Sequence, residues 1–188
     1  MLVKLTKLYL LLTILLFFAC SSIKITHSYD RSVNFSEFKN YSFSDWANDS
    51  NKLLSNPDKE QIEKAFGSEF NRRHLKYLKE GGDLIVSLFI VVEQENFSEE
   101  YSNHLISMGF ENFSSLSWEK GHSATSYSNY DYSAGTLICG VLDSQSKTLV
   151  WQGAAGGAIN EETKNREKTI QQVVTQIMSR YPIPPAKD

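Results

Sequence analysis

Two strongly apolar runs joined by a short polar turn constrain the fold of this chain more than any other feature. The runs extend from Gly135 to Leu142 and from Thr148 to Gly153. Apolar runs on both sides of a polar turn are typical of an antiparallel hairpin. A third apolar, β-branched run, from Asp83 to Val92, predicts a central strand of the same sheet. Cys139 lies within the first run and is interpreted as a small buried hydrophobic residue.

Two amphipathic helices are predicted in the body of the chain. The first begins with Asn56 as its N-cap and Pro57 in its first turn, and it ends near Arg73. The second follows Asn160 and ends before Pro182. Its apolar stripe, at helical spacing, consists of Ile170, Val173, Val174, Ile177, Met178 and Tyr181.

Two further strands are predicted near the start of the body, where apolar and polar residues alternate over 23–30 and 41–46. Residues 94–133 are rich in Ser, Asn and Tyr without clear periodicity, and they are interpreted as a long loop. The resulting element order is β-β-α-β-(long loop)-β-β-α. This order predicts an α+β fold, with a mostly antiparallel sheet of about five strands and two helices on one face.

Composition excludes several classes of protein. With 188 residues, 41% of them hydrophobic and 22% charged, the chain has the profile of one globular domain. A net charge of −3 argues against a nucleic-acid partner, which would require a basic face. The four histidines are scattered at spacings that do not suit a zinc site, so neither a metal nor a cofactor is expected.

The N-terminal segment has the pattern of an export signal. Two lysines precede an apolar run over residues 8–18, about half of the roughly 20 residues that a membrane-spanning helix needs. Ala19 and Cys20 follow directly and resemble the lipobox of bacterial lipoproteins, with Phe17 where an aliphatic residue is usual. This resemblance implies cleavage before Cys20 and attachment of acyl chains such as palmitate to that cysteine.

These boundaries divide the chain into three parts. Residues 1–19 are interpreted as a lipoprotein signal peptide, residues 20–24 as an acylated tether, and residues 25–182 as a single α+β domain with a loop at 94–133. Ser21 lacks the acidic character that lipoprotein sorting associates with the inner membrane. The domain is therefore expected on the periplasmic face of the outer membrane. The alternatives to a lipoprotein signal are an ordinary secretory signal and a retained N-terminal anchor. The alternative location is display on the cell surface.

Three blocks of the body carry a resemblance to a known family. They are Tyr29-Asp30 with Phe35, Phe38-Lys39, Tyr41 and Phe43; Gly82 to Val86; and Gly135 to Gly153 with its Leu149-Val150-Trp151-Gln152-Gly153 strand. Over about residues 25–182 the chain resembles the bacterial lipoproteins of domain-of-unknown-function family 4136. Gly82 and Cys139 depart from that family, which usually has Ala and aliphatic residues there. The resemblance implies an α+β lipoprotein domain and supplies no activity.

No segment carries a complete catalytic motif. The segment from Gly121 to Ser123 lacks the last glycine, the preceding strand and the following helix of a nucleophile elbow. The small residues from Gly153 to Ala158 lack the lysine and the spacing of a phosphate-binding loop. Asp83 and Asp143 are interpreted as structural, through hydrogen bonds to nearby backbone.

These observations lead us to expect a non-enzymatic, lipid-anchored protein of the cell envelope that acts as a binding or scaffold module. Its candidate binding residues are Tyr127, Tyr130 and Tyr132, because binding loops favour Tyr together with Ser and Asn. Its expected partners are the membrane, through acyl chains on Cys20, and a protein or other component of the envelope.

An alternative function remains open in the same region. A small envelope hydrolase or ligand-binding protein would carry its site in the 94–133 loop. Such a site requires a formed pocket in which His122 or Ser123 lies within hydrogen-bond reach of a carboxylate.

Overall fold

The computed structural model describes residues 23–93, 97–110, 134–159 and 166–186. Within these ranges six strands form one sheet: β1 Lys24–Tyr29, β2 Asn40–Phe43, β3 Lys76–Tyr77, β4 Leu84–Ile90, β5 Leu137–Asp143 and β6 Thr148–Gly156. Three α-helices accompany the strands in the described ranges: α1 Asn56–Asn71, α2 Phe97–Ser107 and α3 Arg166–Met178. The α+β class predicted from the sequence is confirmed.

The described sheet is mixed and has six strands, whereas the sequence predicted a mostly antiparallel sheet of about five strands. The strand order is β1-β6-β5-β4-β2-β3. Antiparallel pairing joins β1, β6, β5 and β4, whereas β2 is parallel to both of its neighbours, β4 and β3. Parallel neighbours require a crossover connection, and α1 supplies it between β2 and the strands that follow. The strand that the sequence did not predict is β3. It has only two residues, which is too short to produce a periodic signal.

One face of the sheet is covered by α1 and α3, as the two apolar stripes predicted. Alternate residues of β4 and β5 are buried against these helices: Leu84, Val86, Leu88, Ile90, Leu137, Cys139 and Val141. The predicted stripe of α3 is buried throughout, from Ile170 to Tyr181. Trp151 is fully buried in the same core, as expected for an aromatic residue on a central strand.

The opposite face carries a second, smaller core beneath α2. This helix corrects the interpretation of residues 94–133 as one long loop, because Phe97–Ser107 is helical. Tyr101 and Leu105, one helical turn apart, lie in a cluster with Val91, which follows β4, and with residues of β4, β5 and β6: Phe89, Ile138, Leu142, Leu149 and Ala154. Two buried positions in a short helix give a stripe too weak to recognise among polar neighbours.

The start of α1 differs from the prediction by one residue. Ser55, rather than Asn56, is the N-cap, and its hydroxyl accepts a hydrogen bond from the backbone N–H of Asp58 at 3.4 Å. The Asp58 carboxylate in turn accepts from the Ser55 backbone N–H at 2.9 Å, which completes a capping box.

Candidate functional site

The binding and modification residues predicted from the sequence lie outside the described residues. These are Cys20, Tyr127, Tyr130 and Tyr132, together with His122 and Ser123 of the enzymatic alternative. They stay predictions. Within the described ranges, a groove lies on a different part of the molecule, beside the edge strand β3.

The floor of this groove consists of three aromatic rings from β2 and β3. The ring centroids of Tyr41 and Tyr77 are 5.7 Å apart, and those of Phe43 and Tyr77 are 6.1 Å apart. The groove is open and has a volume of about 810 Å³, which is within the range of ligand-binding clefts. Tyr77 is 49% exposed, so its ring offers an apolar face to an incoming molecule.

The wall of the groove is the polar flank of α1. It contributes acidic, basic and neutral side chains: Glu60, Glu63, Lys64, Ser68, Asn71 and Arg72. One acid is already engaged, because Glu63 accepts a hydrogen bond from the indole N–H of Trp46 at 2.6 Å. Lys59 lies 5.7 Å from the centroid of the same indole ring. The wall therefore offers both hydrogen-bond donors and acceptors above an aromatic floor.

Tyr41 is the buried member of the aromatic floor, at 1% exposure. Its hydroxyl lies beneath α1 at Gly67, where an added Cβ would be only 3.2 Å from the hydroxyl oxygen. Burial, and to a smaller extent the neighbouring Tyr77, raises the pKa of Tyr41 to about 12. The phenol therefore stays protonated at neutral pH.

The backbone of β3 borders the groove at the outer edge of the described sheet. The Lys76 N–H donates to the Lys39 carbonyl at 2.9 Å, and the Leu78 N–H donates to the Tyr41 carbonyl at 2.8 Å. Because backbone groups alternate in direction along a strand, the N–H and C=O of Tyr77 between them point away from β2. The strand order places no described strand on that side.

A serine and a histidine meet on the opposite face of the sheet. His104 of α2 lies with its Nε2 atom 3.1 Å from the Ser87 hydroxyl of β4. Burial lowers the pKa of His104, and the Asp45 carboxylate acts in the opposite direction. Ser87 is 0% exposed, so a substrate does not reach its hydroxyl in this structure. The contact attaches α2 to the sheet.

The two aspartates interpreted as structural have that role. Asp83 accepts hydrogen bonds from the backbone N–H groups of Lys39 and Asn40, at 2.8 and 3.2 Å, and so ties the start of β2 to β4. Asp143 accepts from the Gln145 backbone N–H at 2.9 Å, within the turn of the β5–β6 hairpin. Neither carboxylate belongs to an acid–base pair within the part of the chain described.

Two further properties concern the described ranges as a whole. No group of three His, Cys, Asp or Glu side chains within them is placed to hold a metal ion. None of their helices combines the length and the apolar character that crossing a membrane would require.

Sequence reasoning missed the groove because the groove depends on β3. Tyr77 gives no signal until β3 pairs with β2 and brings its ring beside Tyr41 and Phe43. One local clue was present. The stretch from Arg72 to Lys79 is basic, contains no acidic residue, and includes a tyrosine.

The fold defines the class of this protein: an α+β domain whose mixed sheet separates a two-helix layer from a single helix. The chain belongs to the family described as "Domain of unknown function (DUF4136)", whose model matches residues 25–183. The resemblance seen in the sequence is thereby confirmed. No curated protein matches the chain.

Solved structures share the fold at low sequence identity. A DUF4136 family protein from Bacteroides thetaiotaomicron is 18% identical with a TM-score of 0.59, and the match covers 87% of this chain and 97% of that one. A PDZ domain protein from Parabacteroides distasonis is 15% identical with a TM-score of 0.50, over 87% of this chain and 36% of that one. At these identities the similarity concerns the fold alone.

Proposed function

We propose that this protein is a lipid-anchored module of the bacterial cell envelope that binds another envelope component without catalysing a reaction. The observation that carries the binding role is the open groove between α1 and β3, with its aromatic floor and polar wall. Exposed aromatic rings beside hydrogen-bonding side chains are a common composition for recognition surfaces.

The anchor is proposed from the sequence. Cys20 follows an apolar run and a small residue, and four positions later Lys24 begins β1. A tether of that length would hold the start of β1 within about 15 Å of the acylated cysteine. Because β1 and β3 are at opposite edges of the sheet, the groove lies on the edge away from the tether. We place the domain on the periplasmic face of the outer membrane, with surface display as the alternative.

The lipid anchor is tested by replacing its cysteine. Cells producing the wild-type chain or Cys20→Ala are labelled with an alkyne analogue of palmitate and separated into membrane and soluble fractions. We expect label and membrane association in the wild type and neither in the variant, because acyl chains supply the membrane affinity. A variant that stays membrane-bound at unchanged mass would overturn the anchor.

The binding role is tested by photo-cross-linking in cells. A photoreactive amino acid is placed at Tyr77 in the groove or, as the matched control, at the exposed His27 on the opposite edge strand. We expect a defined cross-linked product from position 77 and none of the same mass from position 27. The same product from both positions, or from neither, would contradict binding through the groove.

An enzymatic function is the second candidate, favoured by the contact between His104 and Ser87 in the α2 region. It predicts labelling of Ser87 by a fluorophosphonate probe. Since Ser87 is fully buried, we expect no labelling of the folded chain. Labelling that disappears in Ser87→Ala would replace the binding proposal with a hydrolase.

A further inference from the structure

We propose that the partner of the groove is an acidic polypeptide segment in extended conformation, which adds as a strand to the outer edge of β3. This inference rests on the proposed function, because it names the chemical class that the same groove binds. Three independent features of β3 and its surroundings support it: backbone direction, charge and an exposed ring.

The first feature is the direction of the Tyr77 backbone. Its neighbours, Lys76 and Leu78, direct their N–H groups inward to β2, so Tyr77 presents an N–H donor and a C=O acceptor at the open edge. Strand addition to an exposed sheet edge satisfies such groups with main-chain hydrogen bonds. A glycan or an inorganic polyanion has no matching donor–acceptor repeat.

The second feature is a concentration of positive charge around this edge, in a chain whose net charge is −3. The basic cluster consists of four exposed residues before, within and after β3: Lys39, Arg72, Lys76 and Lys79. Two acids near this edge are engaged, since Asp83 accepts from two backbone N–H groups and Glu69 is paired with both Arg73 and Arg72. The exposed Glu80 follows Lys79, and the lysines of the cluster outnumber it. Charge complementarity therefore selects an acidic segment and rejects a basic one.

The third feature is the ring of Tyr77, which is half exposed above Phe43 and Tyr41. In an added strand, alternate side chains point to the same face of the sheet. Every second residue of the bound segment would then point to the same side of the sheet as this ring, toward the groove beside α1. An apolar side chain at those positions would bury apolar surface, and the acidic side chains between them would meet the basic cluster.

A competing explanation is that the lysines only protect the edge. Short strands and lysines at sheet edges prevent unwanted pairing between chains. Protection requires no aromatic groove, and it predicts that acidic and basic segments alike fail to bind. The two explanations therefore give opposite results with one probe.

The probe is a blocked peptide of about ten residues that alternates Glu and Val, so that one face is acidic and the other apolar. It is titrated against the whole purified chain, with binding followed by calorimetry and by amide hydrogen exchange. We expect binding that weakens as salt is raised, because exposed charges are screened. We also expect slower exchange of the Tyr77 amide, since an added strand would accept its N–H.

Two double variants separate local charge from total charge. Lys76→Glu/Lys79→Glu reverses charge at the edge, and Lys24→Glu/Lys168→Glu makes the same change at exposed positions elsewhere. We expect affinity to fall by about tenfold or more in the first and by less than about threefold in the second. Equal effects in both variants would overturn the assignment to β3.

Three control ligands complete the test. A Lys–Val peptide should not bind, and an acidic peptide with alternate backbone nitrogens methylated should bind much more weakly, because it cannot form a ladder. Equal binding of the methylated peptide, binding of a sulfated glycan alone, or no binding of any probe would each overturn the proposal. None of these outcomes depends on acylation. A failure of this proposal would therefore leave the proposed lipid anchor at Cys20, which has its own test, unaffected.

Discussion

The guanidinium of Arg73 lies 2.7 Å from the carboxylate of Glu69, and the two side chains are only 2% and 4% exposed. Arg73 also donates to the backbone carbonyls of Met178 and Ile183, at 2.7 and 2.9 Å. One buried ion pair therefore ties the end of α1 to the end of α3 and to the segment that follows. The same helix end supplies part of the groove wall, so this network positions the candidate site.

Removing one partner of this pair should destabilise the fold strongly. Glu69→Ala leaves the Arg73 guanidinium buried with its carbonyl partners but without a counter-charge. We expect a loss of about 3–5 kcal/mol in the free energy of unfolding, measured by urea titration. The control is Asp49→Ala, which breaks the exposed pair with Lys52 at 3.5 Å and should cost less than about 1 kcal/mol. Similar losses in both variants would show that burial does not set the strength of the pair.

A second prediction concerns Gly82, where the resemblance to the family had indicated that Ala is usual. In this chain an added Cβ would lie 2.5 Å from the backbone nitrogen of Ser42 and 2.6 Å from the carbonyl carbon of Tyr41. Backbone of β2 cannot move aside without disturbing its pairing with β4. Gly82→Ala should therefore cost about 1–3 kcal/mol of stability.

The control for this change is Gly156→Ala at the end of β6. There the nearest atom to an added Cβ is the Lys24 carbonyl oxygen at 3.7 Å, an ordinary contact. Its cost should be below about 0.5 kcal/mol in the same urea titration. A Gly82→Ala chain as stable as the wild type would mean that β2 and β4 are farther apart than the structure places them.

The elements that the sequence predicted correctly are those whose signal is local. The β5–β6 hairpin has its turn and both apolar runs within twenty consecutive positions, from Leu137 to Gly156. The buried stripe of α3, from Ile170 to Met178, repeats at the helical period along one element. In both cases each residue's neighbours in the chain determine its environment.

Apart from α2, whose apolar stripe is too weak to recognise, the features that were missed depend on pairing between distant parts of the chain. The parallel pairing of β2 with β4 joins Tyr41 to Leu84, and nothing near either residue specifies its direction. The groove requires that pairing as well as the two-residue strand β3. A candidate site formed by an edge strand thus becomes visible only after the sheet is assembled.

A third prediction concerns the dependence of stability on pH. Burial lowers the pKa of His104 below its ordinary value of 6.5. Because the unfolded chain binds this proton more readily, the contribution of His104 to stability is present above about pH 6.5 and is lost as pH falls toward the folded pKa. The loss should loosen α2, whose contact with Ser87 holds it to the sheet.

His104→Gln keeps a hydrogen-bonding group near Ser87 but does not titrate. Between pH 7 and about pH 5 we expect this variant to lose less unfolding free energy than the wild type. Partial burial and the charge of Arg180 also lower the pKa of His27, which lies on β1 rather than on α2. The effects of His27→Gln and His104→Gln on the pH dependence should therefore add. A pH profile unchanged by His104→Gln would exclude this role.

A fourth prediction follows from the burial of Cys139, a free cysteine on β5 with 0% exposure. Burial raises the pKa of its thiol well above the ordinary value, so the reactive thiolate is scarce as well as inaccessible. In a Cys20→Ala chain Cys139 is the only thiol, and a maleimide reagent should modify it only when the domain unfolds. Modification should therefore accelerate with urea in parallel with unfolding.

Adding Ser146→Cys, in the exposed hairpin turn, provides an internal control that should react at once. Rapid modification of Cys139 in native buffer would show that β5 opens without global unfolding.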